Sequence, residues 1–193
     1  MGHGHKFDPA RIERLNDPGR LATMNPDLIL AASGVADPDV VVEVGAGTGF
    51  FARQFAQRLP SAQIIACDVL EVMVTWMRAN LDRAELERIK PVRSDESALP
   101  VRDGGVDWLY MINVHHELDD RPVMLAEAKR VLKPGGILTI VDWKDIKTEH
   151  GPPVEHRIRE QVIRKEIEAA GFTPVETEVT LPEHNVVVGR KPR

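Results

Sequence analysis

The sequence has few of the features that mark disulfide-stabilised, membrane-spanning or nucleic-acid-binding proteins. Cys67 is the single cysteine among 193 residues, which excludes an intramolecular disulfide and any paired-thiol zinc or redox motif, and favours a reducing, cytoplasmic setting. No apolar run approaches the ~20 residues that a membrane helix needs. The formal net charge is -5, and no run of Lys or Arg is long enough to neutralise nucleic-acid phosphates. We therefore expect neither a membrane nor a nucleic acid as a partner.

What the sequence does contain is a regular alternation of strand and helix patterns. Its composition, 42% hydrophobic and 28% charged, is typical of one soluble domain. The pairs Asp8-Pro9, Asp17-Pro18 and Asn25-Pro26 each place a capping residue before a proline and predict three short N-terminal helices, the last ending at Gly34. Beyond residue 37, strands alternate strictly with helices, and the predicted strands are 39–45, 63–68, 89–95, 106–114 and 136–143. Such alternation of strands and helices predicts a parallel sheet with helices on both faces.

The C-terminal part of the chain departs from this alternation of strands and helices. Two strand-like pieces, "TPVETEVT" (173–180) and "NVVVGRK" (185–191), are separated only by "LPEH". So short a link suits a hairpin, which predicts an antiparallel last strand. Because no repeat or low-complexity linker interrupts the chain, we expect residues 1–193 to form a single domain.

The segment "EVGAGTGF" lies where a predicted buried strand turns into a helix. Gly45, Gly47 and Gly49 allow a tight turn close to a ligand, and the helix start directs free N–H groups towards it. A lone glycine-rich turn can also be only a turn. Asp68 strengthens the ligand hypothesis, because it ends the second strand 19 residues after Gly49, the spacing at which a carboxylate accepts hydrogen bonds from a ribose.

The loop lacks the residues of two common nucleotide sites. A nicotinamide fingerprint needs a third glycine at position 50, where the chain has Phe50, so a dehydrogenase is disfavoured. No Lys-Ser/Thr pair follows the loop, so a nucleoside triphosphate is not indicated.

The stretch "NVHHELDD" (113–120) follows the fourth strand, at the sheet edge where open α/β sheets bind ligands. Metal binding is the weakest interpretation, because adjacent residues of an extended segment point in opposite directions and no recognised ligand set is complete. We therefore predict no metal site. The carboxylates from Glu117 to Asp120 are expected to cap the helix that begins near Arg121-Pro122.

Five motifs in order resemble those of class I S-adenosylmethionine-dependent methyltransferases, especially the small-molecule branch related to quinone methyltransferases. They are "VVVEVGAGTGFFA", Asp68, "SDESALP", "DWLYMINVHHEL" and "RVLKPGGILTIVDW", and the resemblance covers residues 37–189. It implies a Rossmann-like, doubly wound α/β fold with seven strands and S-adenosyl-L-methionine as cofactor, with S-adenosyl-L-homocysteine as product. It also implies in-line transfer of a methyl group to a small-molecule acceptor, which the resemblance does not identify.

Carried over to this chain, the resemblance places Glu43 and the loop glycines Gly45, Gly47 and Gly49 around the methionine part of the cofactor. It places Asn113 at the end of the fourth strand, below the sulfonium. Glu43 has a competing interpretation as a buried strand carboxylate that is satisfied by backbone N–H groups.

The same comparison assigns the nucleoside part of the cofactor. Asp68 is expected to hold the ribose and Val69 to lie on the adenine face. Asp95 is expected to bond the adenine amino group, with the backbone of Glu96 beside it, although Asp95 has a competing interpretation as a strand terminator.

The acceptor pocket is predicted from residues at the ends of the fourth and fifth strands: His115, His116, Trp143 and Lys144. His116 is the candidate general base, with pocket shaping as the alternative. His115 has packing or solvent exposure as its alternative. Trp143 suits an apolar acceptor and Lys144 an anionic one, and the sequence does not choose between them.

Two segments are predicted to cover the site: residues 1–36, which include "HGHKFDPARI", and the loop "TEHGPPVEH" (148–156), which could also be a plain surface loop. We expect a monomer or homodimer. Two alternative functions stay open, a noncatalytic S-adenosylmethionine-binding partner protein and, disfavoured by Phe50, a nicotinamide-dependent oxidoreductase. A thiol-dependent arsenic methyltransferase is excluded by the single cysteine.

Overall fold

The computed structural model describes residues 9–193, and seven strands within them form one sheet. The strands are β1 (Val40–Val44), β2 (Gln63–Asp68), β3 (Ile89–Arg93), β4 (Val106–Ile112), β5 (Leu132–Trp143), β6 (Thr173–Val175) and β7 (His184–Arg190). Their order across the sheet is β3-β2-β1-β4-β5-β7-β6. All pairs from β3 to β5 are parallel, and β7 is antiparallel to both β5 and β6. The predicted seven-stranded α/β sheet with an antiparallel last strand is confirmed.

The helices are α1 (Arg20–Thr23), α2 (Pro26–Ser33), α3 (Phe50–Arg58), α4 (Glu71–Asn80), α5 (Arg83–Arg88), α6 (Arg121–Val131) and α7 (Glu160–Ala169). Two of the predicted caps form: the side chain of Asn25 accepts the N–H groups of Asp27 and Leu28, and that of Asp120 accepts the N–H of Val123. Asp17 instead accepts the N–H of Gly19 at 2.8 Å, and α1 begins at Arg20 without a side-chain cap. The first of the three predicted N-terminal helices is a 3₁₀ helix, Pro9–Asn16. Asp8 and the first residues of "HGHKFDPARI" lie outside the described residues.

Helices cover both faces of the sheet, as the alternation of strands and helices along the chain predicts. The side chains of successive strand residues alternate between two apolar clusters. One cluster contains Phe55 of α3 and Met77 of α4, and the other contains Leu125 of α6 and Ile163 of α7. In the described part of the chain, no helix combines the length and the apolar character that crossing a membrane requires.

Helix α2 is built into the first of these clusters. The Ser33 hydroxyl bonds the carbonyl of Ile29 at 2.7 Å and the hydroxyl of Thr139 at 2.8 Å, and Trp108 donates its indole N–H to Thr139 at 3.0 Å. All of these polar atoms are buried, so each bond satisfies a group that would otherwise be costly to bury. The described end of the 1–36 segment is therefore anchored to β5, and its function as a lid stays a prediction.

One local prediction was wrong in detail, and one helix was missed. The strand predicted at 173–180 ends at Val175, so residues 176–183 form a longer connection than the predicted link, and within it Glu176 pairs with Arg164 of α7 at 2.7 Å. Helix α5 was not predicted, although it begins with a capping box in which Asp82 and Glu85 bond each other's backbone N–H groups.

Candidate functional site

The candidate site lies at the carboxyl ends of β1, β2, β4 and β5. The chain runs outward from β1 through β2 to β3 and then returns to place β4 on the other side of β1. Ligands of open α/β sheets bind at such a reversal, because the loops leaving β1 and β4 diverge and leave a crevice between them.

The glycine loop takes a conformation that only glycine adopts easily. Gly45, Gly47 and Gly49 have φ angles of 69°, 55° and 71°. A Cβ atom at Gly45 would collide with the side chain of Val114, and one at Gly47 would lie 2.9 Å from Cδ1 of Leu15. The first turn of α3 has no side-chain cap, so its N–H groups remain available to a ligand.

Asp68 links the loop to the end of β2. Its Oδ2 accepts the N–H of Gly47 at 2.7 Å, and its Oδ1 accepts the N–H of Leu70 at 2.9 Å. Burial raises the pKa of Asp68 above its ordinary value. Since a carboxylate has about four acceptor sites, Asp68 can hold the loop and still accept bonds from two vicinal hydroxyl groups. This arrangement fits the predicted ribose contact.

Glu43 projects from the middle of β1 and is only 3% exposed. Its Oε2 makes no hydrogen bond to any described residue, and neither does the hydroxyl of Tyr110, which lies opposite in the β1–β4 register. Burial raises the pKa of Glu43 to about 8, although Tyr110 and Arg20 both act to lower it. The competing interpretation, a carboxylate satisfied by backbone N–H groups, does not account for Oε2.

The adenine end of the predicted site is more open. Arg93, Ser94, Asp95, Ala98, Leu99 and Pro100 line a shallow cleft beside β3. The N–H of Ser94 donates to the carbonyl of Asp68, so Asp95 lies directly beside the predicted ribose contact and is exposed, and Val69 is half-buried. The side chain of Glu96 accepts the backbone N–H of Asp119 at 2.7 Å, while the predicted adenine contact concerns the backbone of Glu96.

Asn113 ends β4 in a conformation that is uncommon for a residue with a side chain. Its φ angle is 58°, and its N–H donates to the carbonyl of Val141. Its Nδ2 lies 3.5 Å from Sδ of Met24, while its Oδ1 has no partner among the described residues. Asparagine tolerates the left-handed region better than most residues, and such positions are enriched at ligand sites.

The adjacent histidines point in opposite directions. His115 is fully buried, and its Nε2 lies 2.8 Å from Oε2 of Glu166 on α7. Glu166 also accepts a bond from Arg121 at 2.9 Å. The structure therefore places His115 against α7 and does not bring it to the other predicted pocket residues.

His116 is held instead by Asp142, which sequence analysis missed. Oδ2 of Asp142 accepts the backbone N–H of His116 at 2.9 Å, and Oδ1 lies 2.7 Å from Nδ1 of its ring. Asp142 is 1% exposed. Burial alone would lower the pKa of His116, but its hydrogen bond to Asp142 and the negative charges of Asp142 and Glu117 together raise that pKa above its ordinary value. The available signal was an acidic residue at the end of an apolar strand that neighbours β4.

Trp143 and Lys144 are both tied to neighbouring segments. The Trp143 ring lies 4.2 Å from that of His184 and has the Arg157 guanidinium 5.0 Å above it. Lys144 donates its Nζ to the carbonyl of Leu181 at 2.6 Å. His184 is buried with neither ring nitrogen bonded to a described residue, and burial lowers its pKa to about 4, so it stays neutral.

The loop predicted to cover the site is clamped by Arg157, whose role the sequence did not indicate. Its guanidinium donates five hydrogen bonds, to the carbonyls of Lys144, Ile146, His150 and Pro152 and to the hydroxyl of Thr148. Gly151 packs so closely on Trp143 that a Cβ there would lie 2.9 Å from the ring. The loop is thus fixed on Trp143; that it covers the site stays a prediction.

Comparison with known proteins assigns the family. A methyltransferase domain family matches residues 41–136. The crystal structure of a SAM-dependent methyltransferase from Aquifex aeolicus aligns over 96% of this chain and 99% of its own, with a TM-score of 0.89 and 31% identity. The chain belongs to the class I S-adenosylmethionine-dependent methyltransferases.

Curated relatives of this methyltransferase are longer. The malonyl-acyl-carrier-protein O-methyltransferase of Geobacter sulfurreducens is 33% identical over 165 residues, which is 77% of this chain and 60% of the relative. The ubiquinone/menaquinone biosynthesis C-methyltransferase UbiE of Paracoccus denitrificans is 32% identical over 111 residues, which is 57% of this chain and 44% of the relative. The methyltransferase described here therefore spans about half the length of these relatives.

The residues at the site fit the cofactor of the family. The glycine loop offers uncapped N–H groups, Asp68 has acceptor sites to spare, and Glu43 has a buried oxygen without a partner. Among residues 9–193, no three His, Cys, Asp or Glu side chains come together as a metal site would require.

Proposed function

We propose that this methyltransferase transfers the methyl group of S-adenosylmethionine to a small-molecule acceptor whose reacting group must first lose a proton, such as a phenol or quinol hydroxyl. The observation that carries the proposal is the hydrogen-bonded pair of buried Asp142, in β5, and half-buried His116, just after β4. Of the relatives, the one named for ubiquinone and menaquinone biosynthesis supports a small-molecule acceptor, whereas the other is named for a malonyl group on an acyl carrier protein.

The cofactor, when bound, supplies a methyl group activated on a sulfonium sulfur. What the chain must add is orientation of the acceptor, worth up to ~7 to 11 kcal/mol in well-aligned systems. Where the acceptor carries a proton, the chain must also remove it, and a positioned base contributes about 10²- to 10⁴-fold.

His116 is arranged for that second task. Because Asp142 is a carboxylate, Nδ1 of His116 carries the proton of their 2.7 Å hydrogen bond, which leaves the lone pair on Nε2. Nε2 therefore accepts the proton of the acceptor hydroxyl, and Asp142 stabilises the imidazolium that results. A pre-ionised carboxylate acceptor would need no such base, so the pair favours a protonated acceptor.

The test is a panel of phenols, quinols, carboxylic acids and amines, incubated with methyl-labelled S-adenosylmethionine and scored for labelled product and S-adenosylhomocysteine. We expect turnover of hydroxyl acceptors, with a rate that rises with pH through the raised pKa of His116. His116→Asn should lower turnover about 10²- to 10⁴-fold, while Arg83→Met, whose side chain on α5 is 97% exposed, serves as a control without effect.

Asp142→Asn tests the contribution of Asp142 to the function of His116 as the base. Without the carboxylate the pKa of His116 falls, so the rising limb of the pH profile should move to lower pH while the plateau drops. Turnover of carboxylic acids alone, with His116→Asn fully active, would contradict the proposed acceptor class. Binding of S-adenosylhomocysteine without any product would favour the noncatalytic alternative.

A further inference from the structure

We propose that His184 selects the methyl acceptor by hydrogen-bonding a second oxygen on it, a carbonyl or carboxylate oxygen that is not itself methylated. His184 would thus determine specificity, while His116 acts on the reacting hydroxyl group. The inference rests on the proposed function and deepens it, because it states what the acceptor must carry besides that hydroxyl.

His184 lies at the edge of the sheet where the candidate site is. It is the first residue of β7, and because β7 runs antiparallel to β5, β7 begins where β5 ends. Its register partner is Trp143, the residue after Asp142, and the rings of His184 and Trp143 lie 4.2 Å apart. Since β4 and β7 are the two neighbours of β5 and adjacent strands lie about 4.8 Å apart, the strand ends that carry His116 and His184 are separated by roughly 10 Å. One aromatic ring with oxygens on two of its carbons suits the space between two imidazoles at that separation.

The ring of His184 is buried without using its hydrogen-bonding capacity. The residue is 1% exposed, and neither ring nitrogen bonds a described residue. The charged groups around it are engaged elsewhere: Lys144 donates to the carbonyl of Leu181, Arg157 makes five bonds within its loop, and Asp142 accepts three. A buried polar group without a partner costs free energy, and a ligand that bonds the ring removes that cost.

The surroundings of His184 favour an oxygen over an amine as that partner. Burial lowers the pKa of His184 to about 4, Asp142 opposes this shift, and three cations reinforce it: Arg20, Arg157 and Lys144. The ring is therefore neutral at pH 7, with one nitrogen that donates and one that accepts. Because the cations outnumber the carboxylate, the donating nitrogen is best matched by an oxygen that carries negative charge or partial charge.

The experiment compares methylation of matched phenols by the full chain. Hydroxyacetophenones and hydroxybenzoates carry the second oxygen, ethylphenols lack it at nearly the same size, and each is assayed as its ortho, meta and para isomers. The unmodified enzyme should prefer at least one oxygen-bearing isomer over its ethyl counterpart by about tenfold in kcat/KM, as expected when a buried group loses its hydrogen-bond partner. The series that shows the preference identifies the oxygen as carbonyl or carboxylate.

Variants assign that preference to His184, and they also cancel the effect of the second oxygen on the acidity of the phenol. His184→Phe keeps a ring against Trp143 but has no nitrogen, so it should reduce the kcat/KM ratio of the preferred pair about tenfold. His184→Gln, which keeps a donor and an acceptor, should retain part of the preference. Arg83→Met, with its 97% exposed side chain, should leave the ratio unchanged.

A stability measurement distinguishes this role from a structural one. His184→Phe should raise the urea midpoint of the ligand-free protein, because two unpaired buried nitrogens are removed. Its affinity for S-adenosylhomocysteine should stay within about twofold, which shows that the cofactor site still folds. A lower midpoint would show that the imidazole is bonded within the fold and would contradict the inference.

The kinetic outcomes separate this inference from the proposed function. If phenols were methylated with dependence on His116 but the kcat/KM ratio were the same in His184→Phe, the inference would be wrong and the proposed function would stand. Equal loss for both members of each pair would show that His184 only shapes the pocket. Methylation of amines, with no phenol accepted, would overturn both.

Discussion

The two halves of the site differ in how far they are satisfied without a ligand. Around the glycine loop, buried oxygens of Glu43, Thr48 and Asn113 have no partner among the described residues. At the ends of β4 and β5, Asp142 already accepts three hydrogen bonds, two from His116 and one from Trp143. The glycine-loop half thus keeps buried acceptors without a partner among the described residues, whereas the carboxylate that orients the candidate base is held by the fold itself.

This contrast has limits, because His184 beside Trp143, Nδ1 of His115 and Nδ2 of Asn185 also have no hydrogen-bond partner among the described residues. All three side chains are uncharged when unpaired, and the case of His184 shows why. Its low pKa keeps it neutral, so it does not carry the electrostatic cost that an unpaired carboxylate does. Charge without a partner is therefore concentrated on the cofactor side. Substitutions that remove the charge of a single group in either half of the site measure this difference between the halves.

The largest effect is expected at Glu43. Its pKa rises from 4.5 to about 8 on folding, so ionised Glu43 increasingly destabilises the folded protein as pH rises between those values. Glu43→Gln should therefore stabilise the ligand-free protein by several kcal/mol at pH 8 and by almost nothing at pH 4, since one pKa unit corresponds to about 1.4 kcal/mol. Urea denaturation at the two pH values measures this.

The exposed Glu87→Gln provides the control for Glu43, and it should change stability little at either pH. The stabilised Glu43→Gln protein should also bind S-adenosylhomocysteine more weakly, because the same carboxylate that opposes folding faces the ligand. A gain in stability that is equal at pH 4 and pH 8 would show that Glu43 is not the ionising group, and the contrast between the two halves would lose its main support.

The next largest effect is expected at Asp68. Asp68→Ala should weaken binding of S-adenosylhomocysteine by about 1.5 to 3 kcal/mol, roughly tenfold to 150-fold, because buried hydroxyl groups would lose a charged acceptor. The change also frees the N–H of Gly47, so loss of loop geometry adds to the effect. Asp95→Ala, at an exposed carboxylate, should cost less, and a larger loss there than at Asp68 would reverse the assignment.

The residues that the sequence assigned to the cofactor half come together in the fold because their signals are local. Glycines at 45, 47 and 49 and an acid at the end of the next strand lie within one strand-helix-strand unit, where spacing determines position. Asp142, by contrast, acts on His116 across 26 residues, and Arg20 reaches the loop from a separate helix. Such contacts depend on how strands and helices pack, which periodicity does not specify. The capping box of α5 was local, and it could have been predicted.

The smallest effect is expected at Glu166, the partner of His115. A substitution there distinguishes the role of His115 from that of the adjacent His116. Burial alone would raise the pKa of Glu166, but bonds from His115 and Arg121 lower it below its ordinary value. Its contribution to stability is therefore present above the unfolded pKa, near 4.5, and is lost as pH falls through the lower folded value. Because Glu166 is partly exposed, Glu166→Gln should cost only about 1 kcal/mol at pH 7.

Thermal melting from pH 3 to pH 7, alongside Asp142→Asn, measures this difference between the histidines. Glu166→Gln should lower the melting temperature near pH 7 and converge with the unmodified protein at pH 3, with binding of S-adenosylhomocysteine and turnover unchanged. Asp142→Asn should instead change the pH dependence of turnover, because it acts on the ring of His116. A shift of that pH dependence in Glu166→Gln as well would show that His115 is coupled to the reaction. It would contradict the assignment of a structural role to His115 and a catalytic role to His116.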